Sequence, residues 1–187
     1  MTVLSKHDAL LLDLDGTVWE GGRPLSNVVD VINTCGVPAV YVTNNASRSP
    51  EAVSKMLADI GLEATTQQII TSAQAVLQLV ADEVPAASKL LIIGADSFRD
   101  LAREMGFEVV SSADDKPAAV VQGFDRSVGW EQLTEGALAI RQGAKFFASN
   151  LDTSLPIERG FAVGNGSLVA AIQSAQVAGA APLVVGA

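Results

Sequence analysis

The chain has 187 residues, enough for one good-sized domain or two small ones, and is 49% hydrophobic, so it can bury a core. Its formal net charge of -9 excludes nucleic acid as an expected partner, because phosphate-backbone binding needs clustered Lys and Arg. The same excess of acid opposes a phosphorylated small molecule unless local donors and a metal reverse the field.

Ala9–Leu14 reads as a short, fully buried strand. Asp13 interrupts its apolar run, so the N-terminus is not expected to be a signal peptide. No later apolar run approaches membrane-spanning length, and a soluble cytoplasmic protein without membrane partners is expected. Thr17–Leu25 reads as a small hairpin turning at Gly21-Gly22. Ser26 is placed to cap a helix that runs to about Cys35 and stops at Gly36. Cys35 is the sole cysteine, which excludes an internal disulfide and reads as a buried structural thiol. Pro38–Thr43 is a second buried strand, ending in Thr43-Asn44-Asn45.

Ser49-Pro50-Glu51 is a helix start: a cap, a proline at the first position, an acid in the first turn. Gly61 ends that helix, Thr65–Ile70 reads as a short helical turn, and Ser72 caps a third helix broken by Pro85. The stretch Val84–Lys89 is the best linker candidate. Beyond it, strands are expected at Lys89–Gly94, Phe107–Val110, Ala118–Gly123, Lys145–Ser149 and Pro182–Val185. Helices are expected at Asp96–Met105, Trp130–Arg141 and from Gly164 to about Ala178, with Leu155–Val163 irregular. Alternating strands and helices imply an α/β fold with parallel sheets.

The chemistry concentrates at Asp13-Leu14-Asp15-Gly16. Side chains two apart on a strand share a face, so a strand persisting to Asp15 would present both carboxylates at its carboxyl end, where open parallel sheets bind ligands. An aspartate can attack phosphorus as a covalent nucleophile, and a second acid can protonate the leaving oxygen and then deprotonate water. Gly16 permits a sharp turn whose amides can face an anion. Thr43 and Asn44 offer a hydroxyl and an amide at the neighbouring strand end. Unit charges about 4 Å apart interact by about 4 kcal/mol at an effective dielectric near 20. A phosphate beside two carboxylates therefore needs a divalent cation, and Mg²⁺ suits these oxygens.

Asp13-Leu14-Asp15-Gly16-Thr17-Val18 resembles the first signature of the haloacid dehalogenase (HAD) superfamily. Val42-Thr43-Asn44-Asn45 resembles its second, in the form used by the NagD and p-nitrophenylphosphatase-like branch. Val121–Asp125, Ala148–Asp152 and Gly164–Ser167 follow in that branch's order. The resemblance implies a Rossmann-like core with an inserted α/β cap of type IIA: residues 1–83 as core, 84–181 as cap and 182–187 as the start of a returning core strand. It implies Asp13 as nucleophile and Mg²⁺ ligand, and Asp15 as general acid/base with its backbone carbonyl on the metal. Thr43 and Asn44 would bind the phosphoryl group with Gly16. Asn45, Asp125, Asn150 and Asp152 are the candidates for contact with a small phosphorylated metabolite, the last three weighed against a plain turn-forming role. By analogy with relatives, a homodimer through the cap is expected.

The family's third signature, a lysine in a Gly-Lys-Pro context, is approached by Pro182–Gly186, but position 187 is Ala. Its fourth, an acidic pair, has no counterpart here, so the core is incomplete at the C-terminus of this chain. Residues 1–187 are accordingly expected to bind Mg²⁺ weakly and turn over poorly. The alternative to a phosphatase is a degenerate or truncated phospholigand-binding module. Of the remaining residues, His7 and Arg48 are expected in solvated positions, Trp19 in the hairpin against core, cap or substrate, Trp130 in the core, and Gly164–Ser167 as a structural turn rather than a phosphate cradle.

Overall fold

The computed structural model describes residues 7–157, 159–176 and 181–185. The chain divides into two compact units: residues up to Thr43 with Ser49–Thr71, and Asn44–Arg48 with Ser72 onward.

The first unit opens with β1 (Leu10–Asp13), then a hairpin of β2 (Trp19–Glu20) and β3 (Arg23–Pro24). Gly21 and Gly22 turn the hairpin with φ of 58° and 81°, the left-handed pair that a primed turn requires. Helix α1 (Val28–Thr34), β4 (Ala39–Thr43), α2 (Pro50–Asp59), a 3-10 turn at Thr66–Gln68 and β5 (Ile69–Thr71) follow. The sheet is parallel in the order β1-β4-β5, with Asp13 opposite Val42 and Thr43 opposite Thr71. Tyr41, Ile69, Leu14, Val18 and Trp19 form one core with Val53 and Leu57 of α2, and Val28, Val29 and Ile32 of α1 pack against it.

That core covers one face of the sheet. Leu11 is 74% exposed, and Val42 and Ile70 are exposed beside it. The expectation that β1 and β4 are fully buried therefore fails: their apolar residues run along both faces, but the described helices of this unit pack on one. Two local expectations also change. Asn27, in the left-handed region, sits at the N-cap of α1 without a side-chain bond, and Ser26 lies one residue outside it. Cys35 is half-buried at the end of α1, its thiol donating to Ile32 O.

The second unit runs α3 (Ser72–Glu83), β6 (Lys89–Ile93), α4 (Asp96–Glu104), β7 (Glu108–Val110), β8 (Ala119–Gln122), α5 (Trp130–Arg141), β9 (Lys145–Ala148), β10 (Ser154–Ile157), β11 (Gly160–Val163), α6 (Asn165–Ser174) and β12 (Leu183–Val184). Its five-stranded sheet has the order β12-β9-β8-β6-β7, every pair parallel. Val76, Leu77 and Val80 of α3 with Phe98 and Ala102 of α4 pack with Leu90, Val121 and Phe147 from the strands. Ala139 of α5 with Val169 and Ile172 of α6 pack with Ile93, Val120 and Phe146. Covered on both faces, β6 and β8 are continuously buried from Leu90 and from Ala119, as central parallel strands should be.

Several boundaries differ from expectation. The two compact units part at Thr71/Ser72, where α3 packs its stripe with the second unit's strands. Leu183–Val184, expected to begin a strand returning to the first unit, pairs with Phe147–Ala148 of β9. The tail of the last expected helix falls in residues 177–180, outside the described ones. Ser72 is the first helical residue of α3, not its cap. Leu155–Val163 is no irregular stretch but holds the antiparallel hairpin β10–β11, missed because Pro156 masks the strand pattern. Trp130, expected in the core, is 79% exposed at the first position of α5.

Candidate active site

Strand β1 ends at Asp13, with the carboxylate on the exposed face it shares with Leu11. The chain does not stay extended to Asp15. Val18 N and Trp19 N both donate to Leu14 O, at 2.9 and 3.1 Å, folding Leu14–Trp19 into a tight loop. The premise that alternation along one strand aligns the two acids is therefore replaced by a loop that presents Asp15 separately. Gly16 adopts φ +84°, a left-handed conformation that glycine accepts without strain, and its amide donates to Trp19 O at 2.8 Å. Its own N–H is thus committed within the loop, and its contribution is the turn itself.

The indole of Trp19 lies in the first core and its Nε1 donates to Asp15 Oδ1 at 2.9 Å. The sequence placed Trp19 in the hairpin but gave no sign of this bond. Four-residue spacing across a glycine turn is its only trace. Asp13 and Asp15 are both exposed carboxylates. Among the described residues no group of three His, Cys, Asp or Glu comes together. Hard oxygen donors at the end of β1 and two residues further on, in the loop, still match the habit of Mg²⁺, which binds through one or two carboxylates and fills its octahedron with substrate phosphate and water. On the chemistry of its donors, this acid pair fits the cation.

Thr43 ends β4, is 3% exposed and lies opposite Thr71 in the parallel register. Asn44 follows in an exposed position. Its carbonyl accepts two side-chain bonds, from Ser72 Oγ at 2.6 Å and from Asn150 Nδ2 at 2.9 Å. Asn45 Oδ1 accepts from Ser47 N and Oγ at 2.8 and 2.7 Å. Asp125, after β8, repeats that arrangement: its Oδ1 accepts from Ser127 N at 2.8 Å and Ser127 Oγ at 2.5 Å. The Ser127 hydroxyl, then its amide, hold the Asp125 carboxyl below its ordinary range against the opposing effect of burial, and Arg99 adds a smaller pull. Asn150, after β9, accepts from Asp152 N through Oδ1 at 3.2 Å. Three strand ends are thus closed by Asx turns, the structural alternative weighed for Asp125 and Asn150. The Asx-x-Ser spacing of the first two was readable in the sequence.

Asp152 is exposed, and its carbonyl accepts from Gly166 N at 2.8 Å. Gly164 N donates to Thr153 O at 3.0 Å, so the amides that open α6 are met by the 151–154 loop, and Gly164–Ser167 is a structural turn, as expected. Asn165, which sequence reading passed over, is buried and donates through Nδ2 to Asn150 O at 2.8 Å. Arg48 is half-buried and His7 exposed. In the first core, burial pushes the Tyr41 hydroxyl up, with Cys35 adding to it.

In this parallel α/β fold one acid ends the first strand and the other follows it, which places both at the sheet's carboxyl edge, where such folds bind ligands. Residues 10–108 match the pattern of the haloacid dehalogenase-like hydrolases, and the chain belongs to that family. The D-glycerol 3-phosphate phosphatase of Mycobacterium tuberculosis is 41% identical over 174 residues, covering 93% of this chain and 49% of that protein. The 5'-nucleotidase YutF of Bacillus subtilis is 35% identical over 172 residues, covering 90% of this chain and 66% of that protein. The structure of the M. tuberculosis glycerol phosphate phosphatase with magnesium superposes with a TM-score of 0.94 at 40% identity, over 98% of this chain and 55% of that one. The chain thus spans about half to two thirds of the length of these relatives. Among the described residues no helix is long and apolar enough to cross a membrane.

Proposed function

We propose that this chain carries the nucleophile-bearing part of a Mg²⁺-dependent phosphatase for small phosphorylated metabolites, with a glycerol-phosphate-like or phosphoglycolate-like substrate preferred. The observation that carries this reading is the parallel pairing of β1 with β4. It sets Asp13 opposite Val42, one residue before Thr43, with Asp15 held just beyond by Trp19. The names of the relatives, phosphatases of glycerol 3-phosphate, acid sugars and nucleotides, support the substrate class.

In this mechanism the Asp13 carboxylate attacks phosphorus while the bond to the leaving oxygen breaks, and Asp15 gives that oxygen its proton. Asp15 then takes a proton from water, whose oxygen attacks the aspartyl-phosphate and releases inorganic phosphate and the free Asp13 carboxylate. Trp19 occupies Oδ1 of Asp15, which leaves Oδ2 to carry the proton. Thr43 and Asn44 would orient the phosphoryl oxygens, and Gly16 supplies the turn that follows Asp15. Asp13 and the Asp15 backbone carbonyl would hold Mg²⁺, which when bound neutralises the phosphate's charge against the acids. Residues 1–83 are read as the catalytic core and residues 84–181 as its cap.

The test is phosphate release, in Mg²⁺, from a panel of glycerol phosphate, phosphoglycolate, sugar phosphates and nucleoside monophosphates by the complete natural protein. Turnover of at least one ester is expected, falling to background in Asp13→Asn. Undiminished turnover in that variant would overturn the mechanism.

A further inference from the structure

The carbonyl of Asn44 is held from two sides by residues distant in sequence. Ser72 Oγ reaches it from the start of α3, and Asn150 Nδ2 from the end of β9. Asn150 is 5% exposed and both ends of its amide are engaged, Nδ2 on Asn44 O and Oδ1 on Asp152 N. Asn165 Nδ2 bonds the Asn150 carbonyl at 2.8 Å, and Asn165 is itself buried, so Asn150 is fixed from behind.

We propose that Asn150 is a positioning residue for the phosphoryl-binding turn. It acts through the backbone of Asn44, and does not touch substrate. The physical step is short. The Asn44–Asn45 peptide is planar and trans, so pinning its oxygen fixes the direction of the whole plane. That plane begins one residue after Thr43, and it sets the path on which the Asn44 and Asn45 side chains are carried. Buried donors aimed at a carbonyl are costly to leave unmade, which makes the arrangement stiff. A role for Asn150 by direct substrate contact would instead need an amide atom unoccupied by protein.

The inference rests on the phosphatase reading only for its kinetic readout. Asn150→Asp keeps the shape and the acceptor for Asp152 N. Its ionised carboxylate has no proton for Asn44 O, whereas its protonated form has one. In the complete protein, kcat for a phosphate ester is expected to fall about tenfold or more at about pH 8, and to recover relative to wild type as pH drops through the carboxyl's titration. Asn150→Ala is expected to lose as much without recovery. Hydrogen exchange of residues 44–48 gives the same comparison without any substrate. Protection is expected to drop in Asn150→Asp at high pH and to return at low pH. Ser72→Ala, which removes the other donor, is expected to loosen the same segment with no new pH dependence. Equal, pH-flat behaviour of Asn150→Asp and wild type in exchange would overturn the proposal, as would an identical pH-independent loss in the Asp and Ala variants. If the exchange pattern appears but no ester is turned over by wild type, the phosphatase reading fails and the positioning role stands.

Discussion

Trp19 donates its indole proton to Oδ1 of Asp15 at 2.9 Å, while the amide of Gly16 donates to the Trp19 carbonyl at 2.8 Å. The loop that carries the second acid is thus clamped at both ends by one buried residue. A hydrogen bond to a charged group contributes about 1.5–3 kcal/mol. Solvent around the exposed Asp15 places this one toward the lower part of that range.

Trp19→Phe keeps an aromatic ring in the core and deletes the donor. We predict destabilisation of about 1–3 kcal/mol in urea unfolding, from the lost bond and a small cavity together. We predict a fall in kcat larger than any change in KM, because Asp15 loses its fixed orientation while phosphate contacts remain. A kcat at the wild-type value would show that the indole bond does not orient the acid.

Much of this site was legible from residue types alone, and what was missed has identifiable physical causes. Asp13, Thr43 and their neighbouring strands were readable because an apolar run ending in acids or Thr-Asn is a local signal. The bonds that organise the site are not local. Ser72 and Asn150 meet at the Asn44 carbonyl from 28 and 106 residues away, and no spacing rule reaches that far. The hairpin β10–β11 escaped because Pro156 breaks the alternation that marks strands. Leu11 looked buried because an unbroken apolar run does not say how many layers cover it. The central strands β6 and β8, covered on both faces, followed their sequence pattern closely for the opposite reason.

The N-cap of α2 offers a simple stability test. Ser49 has extended backbone and its hydroxyl accepts from Ala52 N at 3.3 Å, with Pro50 at the first helical position. Ser49→Ala is predicted to cost about 1 kcal/mol, and Ser49→Asp to be neutral or better because an acid there also meets the helix dipole. Equal melting temperatures for Ser49→Ala and wild type would mean that the long bond contributes nothing.

Asp125 gives a pH dependence with a definite sign. Its folded carboxyl lies below the ordinary value of 3.8 because Ser127 donates to it twice. A depressed folded pKa contributes stability that is fully present above 3.8 and is lost as pH falls through the folded value. Asp125→Asn retains the acceptor for Ser127 but not the charge. The stability gap between wild type and Asp125→Asn is therefore predicted to be greatest near neutral pH and to close in acid. A gap of the same size at both ends of a pH series of urea melts would contradict this assignment.

Gly166 tests whether the loop after β9 is built against the start of α6. A Cβ on Gly166 would lie 2.1 Å from Leu151 O and 2.5 Å from Leu151 C, backbone atoms that cannot rotate away. Gly164 is similarly crowded by Asp152 O at 2.3 Å. Helix propensity alone would favour alanine at position 166 by nearly 1 kcal/mol. Overpacking against backbone costs about 1–3 kcal/mol or more and should prevail. Gly166→Ala is predicted to melt below wild type and to raise hydrogen exchange in residues 150–154, since the displaced Leu151 carbonyl adjoins Asn150. Because Asn150 bonds Asn44 O, exchange at 44–48 should rise with it. A variant that melts above wild type would show that propensity outweighs the contact, and that the loop can withdraw from α6 without cost.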